Sequence, residues 1–361
     1  MKTLQDKLQE DFCNKALDYF KSNKAGCINV SQRVGKIKIS LLILQKLLKS
    51  NSKILISYPD NTIKDSWIKD IEKWGYTNSN ITFTNTSSLK KYTDEKFDIV
   101  IFDECHSMSE NEYNLAQEIC TNTKYVLGLT GTLSTESVFN IKAYLSMDII
   151  VKYSTEQAIK DGILANYSVT VHQVPLDTIV LKKNSKGKLL SEKTFYDNYT
   201  WQINSLKRQN KSFMHLALHR NRLVNQSIAK INKIKELLKD QTKRTLCFVG
   251  YENNAKQLPF ELISSKKGKE SLEKFHNKEI NTLVALSMGK TGVTYNELDK
   301  IILSAFTGNQ EETAQIISRA ILMDYGDKIA DIHIITTDEE AELKKLKKSL
   351  ELLDPNKVKY I

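Results

Sequence analysis

The sequence has few cysteines, glycines and prolines, and it lacks any long apolar run. Its five cysteines, at positions 13, 27, 105, 120 and 247, form no Cys-x-x-Cys pair and have no histidine at metal-ligand spacing. This pattern argues against a zinc site or a disulfide framework, so we expect reduced cysteines that serve in packing. No apolar stretch approaches the roughly 18 residues that a membrane-spanning helix requires, so we predict no transmembrane span.

Only 13 glycines and 4 prolines occur among the 361 residues, whereas lysine, asparagine and isoleucine are abundant. This bias is typical of an AT-rich genome and suggests a phage or viral source. The first twenty residues place apolar side chains at helical spacing among charges, which is unlike the continuous apolar core of a secretory signal. We therefore expect a cytoplasmic protein, in the host cytoplasm or in a virion.

The length and the charge indicate a two-domain protein with a polyanionic partner. A chain of 361 residues is long enough for two domains, given a prior of about 150 residues per domain. The 53 lysines and arginines exceed the 43 acidic residues and give a formal charge of +10, which favours nucleic acid through counterion release. Because the coding bias also enriches lysine, the charge alone does not establish nucleic-acid binding.

A phosphate-binding loop is predicted near the start of the chain. Residues 25–30 read as a strand, residues 31–38 as a loop and residues 39–48 as a helix. In this arrangement backbone N–H groups at the helix N-terminus and a lysine hold phosphates. The predicted nucleotide-binding residues are Arg33, Val34, Gly35, Lys36, Ile37 and Lys38.

The fit to a phosphate-binding loop is partial. Val30 occupies the place of the leading glycine, and Ile37 occupies that of the hydroxyl residue that binds Mg²⁺. Ser40 lies one helical turn beyond Ile37 and cannot simply replace that hydroxyl. Taken alone, Gly35 and Lys36 would more often mark an ordinary helix start, because a two-residue match is common, and it is their position before an acidic strand that favours the phosphate-binding loop.

An acidic strand follows the predicted loop. The apolar run of residues 97–102 ends in Asp103, Glu104, Cys105 and His106. Open α/β sheets bind ligands at the carboxyl ends of their strands, so this edge is the expected place for one carboxylate that binds a metal and another that activates water. The alternative is an ordinary strand end, with Asp103 capping the next element and His106 solvated.

Three further strand ends carry polar residues. Residues 125–129 precede Thr130 and Thr132, and two other strands, residues 53–57 and 81–83, precede loops rich in hydroxyl and amide groups. Such groups suit phosphate contacts without sequence preference. They are equally typical of strand-to-helix turns. The predicted nucleic-acid contacts are Tyr58, Pro59, Asn61, Thr86 and Ser88.

The second half of the chain predicts another mainly parallel sheet. Its strands fall at residues 245–249, 282–286, 300–303 and 331–335. Residues 193–238 are helical and basic, and we interpret their charges as solvated. Residues 310–321 are predicted to form a helix that contains Gln315 and Arg319.

The order of these motifs resembles that of the DExH-type superfamily 2 helicases, in particular the phage and restriction-type DNA helicases. The resemblance implies an α/β fold of two tandem RecA-like domains, each a mainly parallel sheet flanked by helices. It places domain 1 at residues 1–165 and domain 2 at residues 166–361. It also implies ATP and Mg²⁺ as cofactors in the cleft between the domains, and nucleic acid, DNA rather than RNA, as the partner.

The resemblance also implies roles for individual residues. Lys36 would bind the phosphates, Asp103 would hold Mg²⁺ through water, and Glu104 would polarise the attacking water. The residues that would couple hydrolysis to nucleic acid are His106, Thr130 and Thr132. Gly292, Gln315 and Arg319 would complete the nucleotide site, with Arg319 as the catalytic arginine, and Leu322 replaces a second arginine of the family pattern.

Two residues that depart from the helicase family pattern support an alternative function. With Ile37 and Leu322 at these positions, the chain is also compatible with a helicase-like protein that binds nucleic acid or a protein complex without efficient ATP hydrolysis. Retention of Glu104 favours the enzyme. The lack of recognisable accessory domains suggests a protein partner for targeting, and no membrane association is expected.

Overall fold

The computed structural model describes residues 2–180, 182–183, 187–263, 269–286, 295, 297–323 and 328–361. Contacts between Cα atoms divide the chain into two compact units, a first unit up to Ala165 and a second unit from Asn166 onward. Each unit holds a parallel sheet flanked by helices, so the predicted α/β class is confirmed. Within the described residues, no helix has both the length and the apolarity needed to cross a bilayer.

The first unit is built on a six-stranded sheet in the order β3-β2-β4-β5-β1-β6. Its strands are β1 (Ala25–Val30), β2 (Ile54–Tyr58), β3 (Ile81–Asn85), β4 (Ile99–Asp103), β5 (Tyr125–Thr130) and β6 (Asp148–Tyr153). Every residue of β2 and β4 is buried, as expected for central strands covered on both faces. All neighbouring strands pair in parallel, so the carboxyl ends of β1, β4 and β5 lie side by side at one edge.

Six α-helices accompany this sheet in the described part of the first unit. They are α1 (Leu4–Tyr19), α2 (Lys36–Leu47), α3 (Asn61–Trp74), α4 (Glu110–Thr121), α5 (Thr135–Leu145) and α6 (Thr155–Lys160). The helix α2 begins three residues earlier than predicted, because left-handed Gly35 turns the chain directly into it. Capping boxes at Thr3 and Ser109 fix the starts of α1 and α4 by satisfying backbone N–H groups that have no partner within the helix.

The second unit contains a seven-stranded parallel sheet in the order β11-β12-β10-β13-β14-β7-β15. Its strands are β7 (Asn166–Val174), β10 (Thr245–Phe248), β11 (Glu261–Ile263), β12 (Thr282–Ala285), β13 (Lys300–Leu303), β14 (Ile329–Thr337) and β15 (Val358–Tyr360). A separate antiparallel pair is formed by β8 (Lys182–Lys183) and β9 (Leu189–Leu190).

The helices described in the second unit are α7 (Glu192–Arg208), α8 (Met214–Asn225), α9 (Ile228–Leu237), α10 (Glu252–Ala255), α11 (Lys269–His276), α12 (Gln310–Ile317) and α13 (Glu340–Ser349). Buried Ile234 and Leu238 pack α9 on the sheet against Val284 and Ile302. The predicted helix of residues 310–321 ends at Ile317. Arg319 therefore lies in the turn after α12.

Candidate active site

The carboxyl ends of β1, β4 and β5 bring the predicted phosphate-binding loop and the acidic motif together. Lys36 follows β1 at the start of α2, Asp103 ends β4 with Glu104 next to it, and Thr130 ends β5. The Nζ atom of Lys36 lies 2.5 Å from Glu104 Oε1. Two motifs separated by 68 residues in the sequence are thus in direct contact.

The loop before α2 is held in a left-handed conformation. Gly35 has a φ of 100° and Arg33 a φ of 72°, a region that side chains rarely adopt. A Cβ atom on Gly35 would lie 2.4 Å from Nε2 of Gln9, so a side chain here would strain the backbone and displace the Gln9 amide. The turn therefore aims the N-terminus of α2, with its unpaired N–H groups, at the sheet edge.

Two glutamines on α1 hold this loop in place by hydrogen bonds to its backbone. Gln9 Nε2 donates a hydrogen bond of 2.7 Å to the carbonyl of Val34, and Gln5 Nε2 donates to the same carbonyl at 3.1 Å. Val34 and Gln9 are both buried. Gln5 and Gln9 were absent from our predicted site because nothing in the sequence distinguishes them from other polar residues of an amphipathic helix.

Glu104 is the most connected residue of the site. Its Oε1 accepts hydrogen bonds from Lys36 and, at 3.2 Å, from Gln32 Nε2, while its backbone lies in the left-handed region with a φ of 50°. Burial alone would raise the pKa of Glu104, but Lys36 and His106 hold it below its ordinary value. The carboxylates of Glu104 and Asp103 outweigh burial at Lys36 and raise its pKa. The pair is therefore ionised.

Asp103 is buried beside this pair, with 4% of its surface exposed. Its Oδ2 accepts a hydrogen bond of 2.8 Å from the indole N–H of Trp67, and its Oδ1 accepts the Glu104 N–H at 2.9 Å. Burial raises the pKa of Asp103, and the charge of Lys36 opposes that shift. Trp67, which sequence reasoning did not place in the site, is fully buried and orients the carboxylate.

His106 and Thr130 form a second line of contacts behind Glu104. Thr130 Oγ1 donates to the carbonyl of Thr132 at 2.9 Å and lies 2.8 Å from His106 Nδ1. Because the single hydroxyl proton is used on Thr132, the Nδ1 atom of His106 must be the donor to Thr130. The same Nδ1 lies 3.4 Å from Glu104 Oε2. The His106 side chain is only 3% exposed, so the solvated alternative is wrong.

The end of β5 also packs on the phosphate-binding loop. A Cβ atom on Gly131 would lie 2.5 Å from Gln32 Cγ, so only glycine allows this approach. The backbone N–H of Gly131 also lowers the pKa of Glu104 by hydrogen bonding. The loop, the acidic motif and the Thr130–Thr132 segment therefore form one connected network.

Other predicted nucleotide-binding residues face elsewhere. The Nζ atom of Lys38 lies 2.5 Å from Asp6 Oδ1 and 3.8 Å from the centre of the Trp74 ring, so this lysine joins α1 to α3. Ile37 is partly buried, and the Ser40 hydroxyl donates to the carbonyl of Lys36 at 3.0 Å. The hydroxyl of Ser40 therefore serves α2 itself.

The two loops predicted to contact nucleic acid lie at one edge of the first unit. Asn85 Nδ2, at the end of β3, donates to the carbonyl of Pro59 at 3.0 Å. The side chains of Tyr58 and Thr86 are buried, at 4% and 5% exposure, so they support the loops from inside. Asn61 is exposed and Ser88 is partly exposed.

In the second unit, Gln315 lies on α12 and is partly buried, while Arg319 is 8% exposed. The guanidinium carbon of Arg319 lies 5.9 Å from the centre of the Phe248 ring, and burial lowers the pKa of the arginine. Gly292 lies outside the described residues. The roles predicted for Gln315, Arg319 and Gly292 stay predictions.

Comparison with known proteins gives two family matches. The family described as type III restriction enzyme, res subunit, matches residues 2–135, and the helicase conserved C-terminal domain matches residues 229–322. No curated protein matches the chain.

Three solved structures share the fold at low identity. The ATP-dependent type ISP restriction-modification enzyme LlaBIII bound to DNA is 13% identical with a TM-score of 0.66, and the alignment covers 100% of this chain and 31% of that one. A fragment of a putative HsdR subunit of a type I restriction enzyme from Vibrio vulnificus YJ016 is 17% identical with a TM-score of 0.63, covering 98% and 67%. The Hef helicase domain from Pyrococcus furiosus is 15% identical with a TM-score of 0.53, covering 93% and 97%.

Proposed function

Because the chain belongs to the restriction-type branch of the superfamily 2 helicases and has their tandem RecA-like fold, we propose that it is a DNA-dependent ATPase that translocates along DNA or separates its strands. The observation that carries this proposal is the contact of Lys36 with Glu104 at the N-terminus of α2. It joins a phosphate-binding cation to a general base at one sheet edge.

The residues present fit the phosphates of ATP. The left-handed turn at Gly35 directs unpaired N–H groups outward, and Lys36 supplies a compact positive charge. In the proposed cycle Lys36 exchanges Glu104 for phosphate oxygens. Glu104 is then free to accept a hydrogen bond from water.

The fit to Mg²⁺ is narrower. Each oxygen of Asp103 accepts one hydrogen bond and keeps one acceptor position, so the carboxylate can hold a water-bound metal. When bound, Mg²⁺ supplies positive charge to the phosphate oxygens. Ile37 contributes no ligand, so we expect the metal to depend more heavily on Asp103 and ATP.

Glu104 is proposed as the residue that polarises the attacking water. Its lowered pKa keeps it ionised, and its left-handed backbone aims the carboxylate at Lys36. A left-handed backbone at a non-glycine residue is the kind of strain that functional sites retain. His106 is held by Thr130 and lies next to Glu104, so a movement of the Glu104 carboxylate would shift His106 and, through Thr130, the end of β5.

DNA is the proposed partner on two grounds. The formal charge of +10 favours a polyanion, and a protein of similar fold, LlaBIII, was solved bound to DNA. The loops at Asn61 and Ser88 offer exposed or partly exposed polar groups for phosphate contacts. This chain spans 31% of the LlaBIII chain, so the activity of that whole enzyme does not transfer to it.

The second candidate is a helicase-like protein with slow or no hydrolysis. Ile37 and Leu322 favour it, because each replaces a group that the family uses in catalysis. In this candidate the ion pair of Lys36 and Glu104 would serve only to hold the loop.

ATP hydrolysis with and without single-stranded DNA or RNA, compared between the unaltered chain and Glu104→Gln, tests the proposal. Loss of the base should lower turnover by about 10²- to 10⁴-fold while ATP still binds. Glu118→Gln, an exposed acid on α4, is the matched control and should keep full turnover. Equal, near-background rates for the unaltered chain and Glu104→Gln, with ATP bound, would select the second candidate.

A further inference from the structure

The helices α7 and α8 form an antiparallel hairpin in the second unit. The rings of Tyr199 and His219 stack at 6.1 Å with an interplanar angle of 14°, and Arg220 donates to Thr200 Oγ1 at 3.1 Å. At the other end, Lys207 Nζ lies 5.0 Å from the centre of the Phe213 ring. These contacts pair the middle of α7 with the later part of α8, so the chain reverses between Arg208 and Met214.

The base of this hairpin is fixed and its tip is exposed. Glu192 at the start of α7 is fully buried and accepts the backbone N–H of Ile228, the first residue of α9, at 3.3 Å. From Arg208 to Ser212 every residue is exposed. The tip is therefore a rigidly mounted surface directed at solvent.

Beyond Asp197 on α7, the charge of the hairpin has one sign. Residues 198–235 contain no aspartate or glutamate, although the whole chain has 43 acidic residues. A merely solvated helical surface of this protein would carry both signs. The lysines and arginines on the acid-free part of the hairpin are Lys207, Arg208, Lys211, Arg220 and Arg222. Except for Arg220, they are all exposed.

Large apolar side chains are exposed among these cations. Trp201 is 67% exposed, Met214 65% and Leu218 63%. Trp201 and Arg208 are seven residues apart and share a face of α7, as Leu218 and Arg222, four apart, share a face of α8. Tryptophan is costly to leave in water and is typical of binding surfaces.

We propose that the hairpin of α7 and α8 is a binding surface for single-stranded nucleic acid. Trp201 stacks on a base, and Lys207, Arg208 and Arg222 neutralise neighbouring phosphates. Positive charge that is free of acids from residue 198 onward selects a polyanion, and an exposed aromatic ring needs a base that is not already stacked in a duplex. The surface lies outside the two loops of the first unit and does not depend on ATP hydrolysis.

Binding of a fluorescent single-stranded oligonucleotide, measured by anisotropy without nucleotide, tests this surface. Trp201→Ala should weaken binding by roughly fivefold to a hundredfold, and Trp201→Phe should retain most of the affinity. Phe139→Ala, which removes an aromatic ring that is 71% exposed on α5, is the matched control and should change nothing.

The charge contribution has its own readout. Replacing Lys207 and Arg208 with alanine should reduce the slope of log affinity against log salt by about 0.7 for each lost phosphate contact. Lys7 and Lys15, exposed on α1, serve as the control pair. In a Trp74→Phe background, Trp201 is the one exposed tryptophan, because Trp67 is fully buried. The oligonucleotide should therefore quench the tryptophan fluorescence of this variant by stacking on Trp201.

The proposal is overturned if the variants at Trp201, Lys207 and Arg208 keep both affinity and salt slope, or if the unaltered chain binds no single strand. Equal loss of duplex binding in Trp201→Ala would overturn the stacking role. None of these outcomes depends on ATP turnover, so they are distinguishable from failure of the proposed ATPase.

Discussion

Both units bury a lysine–glutamate ion pair at the carboxyl edge of a sheet, and the two pairs differ in how completely they are satisfied. In the first unit Lys36 contacts Glu104, with side-chain exposures of 11% and 12%. In the second unit Lys230 contacts Glu342, with exposures of 0% and 7%. The residue types are the same, so the surroundings decide what each pair does.

The pair in the second unit is closed, which means that both partners make further hydrogen bonds within the protein. Lys230 also donates to the carbonyl of Ser304 at 3.0 Å, and Glu342 Oε2 accepts both the N–H and the hydroxyl of Thr337, at 2.7 and 2.6 Å. These contacts tie α9 and α13 to the ends of β13 and β14. Such a pair has no capacity for another partner, and we assign it to the structure of the unit.

The pair in the first unit is open, which means that it keeps hydrogen-bonding capacity for a further partner. Glu104 Oε2 makes no hydrogen bond of good geometry within the described part of the chain, with His106 Nδ1 3.4 Å away, and the backbone of Glu104 is left-handed. Lys36 is the first residue of α2, where the N–H groups of the first turn have no acceptor within the helix. Strain and unused hydrogen-bonding capacity at Glu104 therefore distinguish the candidate site from the structural pair of the second unit.

The largest expected effect is on the closed pair. Lys230→Met leaves Glu342 buried without its cation and should destabilise the second unit by about 3–5 kcal/mol. Lys36→Met should cost clearly less stability, because Glu104 keeps Gln32 and partial exposure. Hydrogen exchange of the β13 and β14 amides against those of β4 and β5 reports the two units separately.

A double variant checks the physical reason. Replacing Lys230 and Glu342 together with methionine and leucine should recover much of the lost stability, because no charge then remains buried. If Lys36→Met destabilises its unit as much as Lys230→Met does, the distinction between open and closed pairs is wrong.

The sequence was sufficient to predict the two sheets and to predict that Lys36 and the acidic motif meet at one sheet edge, for reasons visible in single elements. Residues 25–30 and 300–303 are short apolar runs, and the structure has strands with these same limits. Gly35, Lys36 and the acidic motif are local patterns tied to local geometry. The start of α2 was misplaced because Gly35 has no side chain to cap the helix, so the local signal for a start at Lys36 is weak.

Contacts between distant segments were beyond sequence reasoning. The Trp67 indole reaches Asp103 across 36 residues, and Gln9 reaches Val34 across 25, without any shared periodicity. The sequence also did not show that α12 ends at Ile317, or that Arg319 in the following turn lies 5.9 Å from the ring of Phe248 on β10. Such contacts are tertiary, and they decide which polar groups become a site.

The next effect concerns the support of Asp103. Trp67→Phe removes the indole N–H from a buried carboxylate and should destabilise the first unit by about 1.5–3 kcal/mol, the range for hydrogen bonds to charged groups. Trp74→Phe, on the same helix and 44% exposed, should have little effect. Denaturant unfolding followed by hydrogen exchange of β4 measures both, and equal losses for the two variants would remove Trp67 from the site.

The smallest expected effect separates backbone strain from space at the open pair. Gly35→Ala must keep a φ of 100° and also places a Cβ atom 2.4 Å from Gln9 Nε2, whereas Gly75→Ala, with a φ of 61°, meets no atom within 4 Å. The left-handed backbone costs about 1–2 kcal/mol at either position. Gly35→Ala should exceed Gly75→Ala in its loss of stability, since Gln9 must release Val34, and Gln9→Ala should remove that excess. Equal losses of stability in Gly35→Ala and Gly75→Ala would show that the loop accommodates the added methyl group without releasing Gln9. The contact of Gln9 with Val34 would then not hold the loop, and its rigidity would have to come from Glu104 and Gln32.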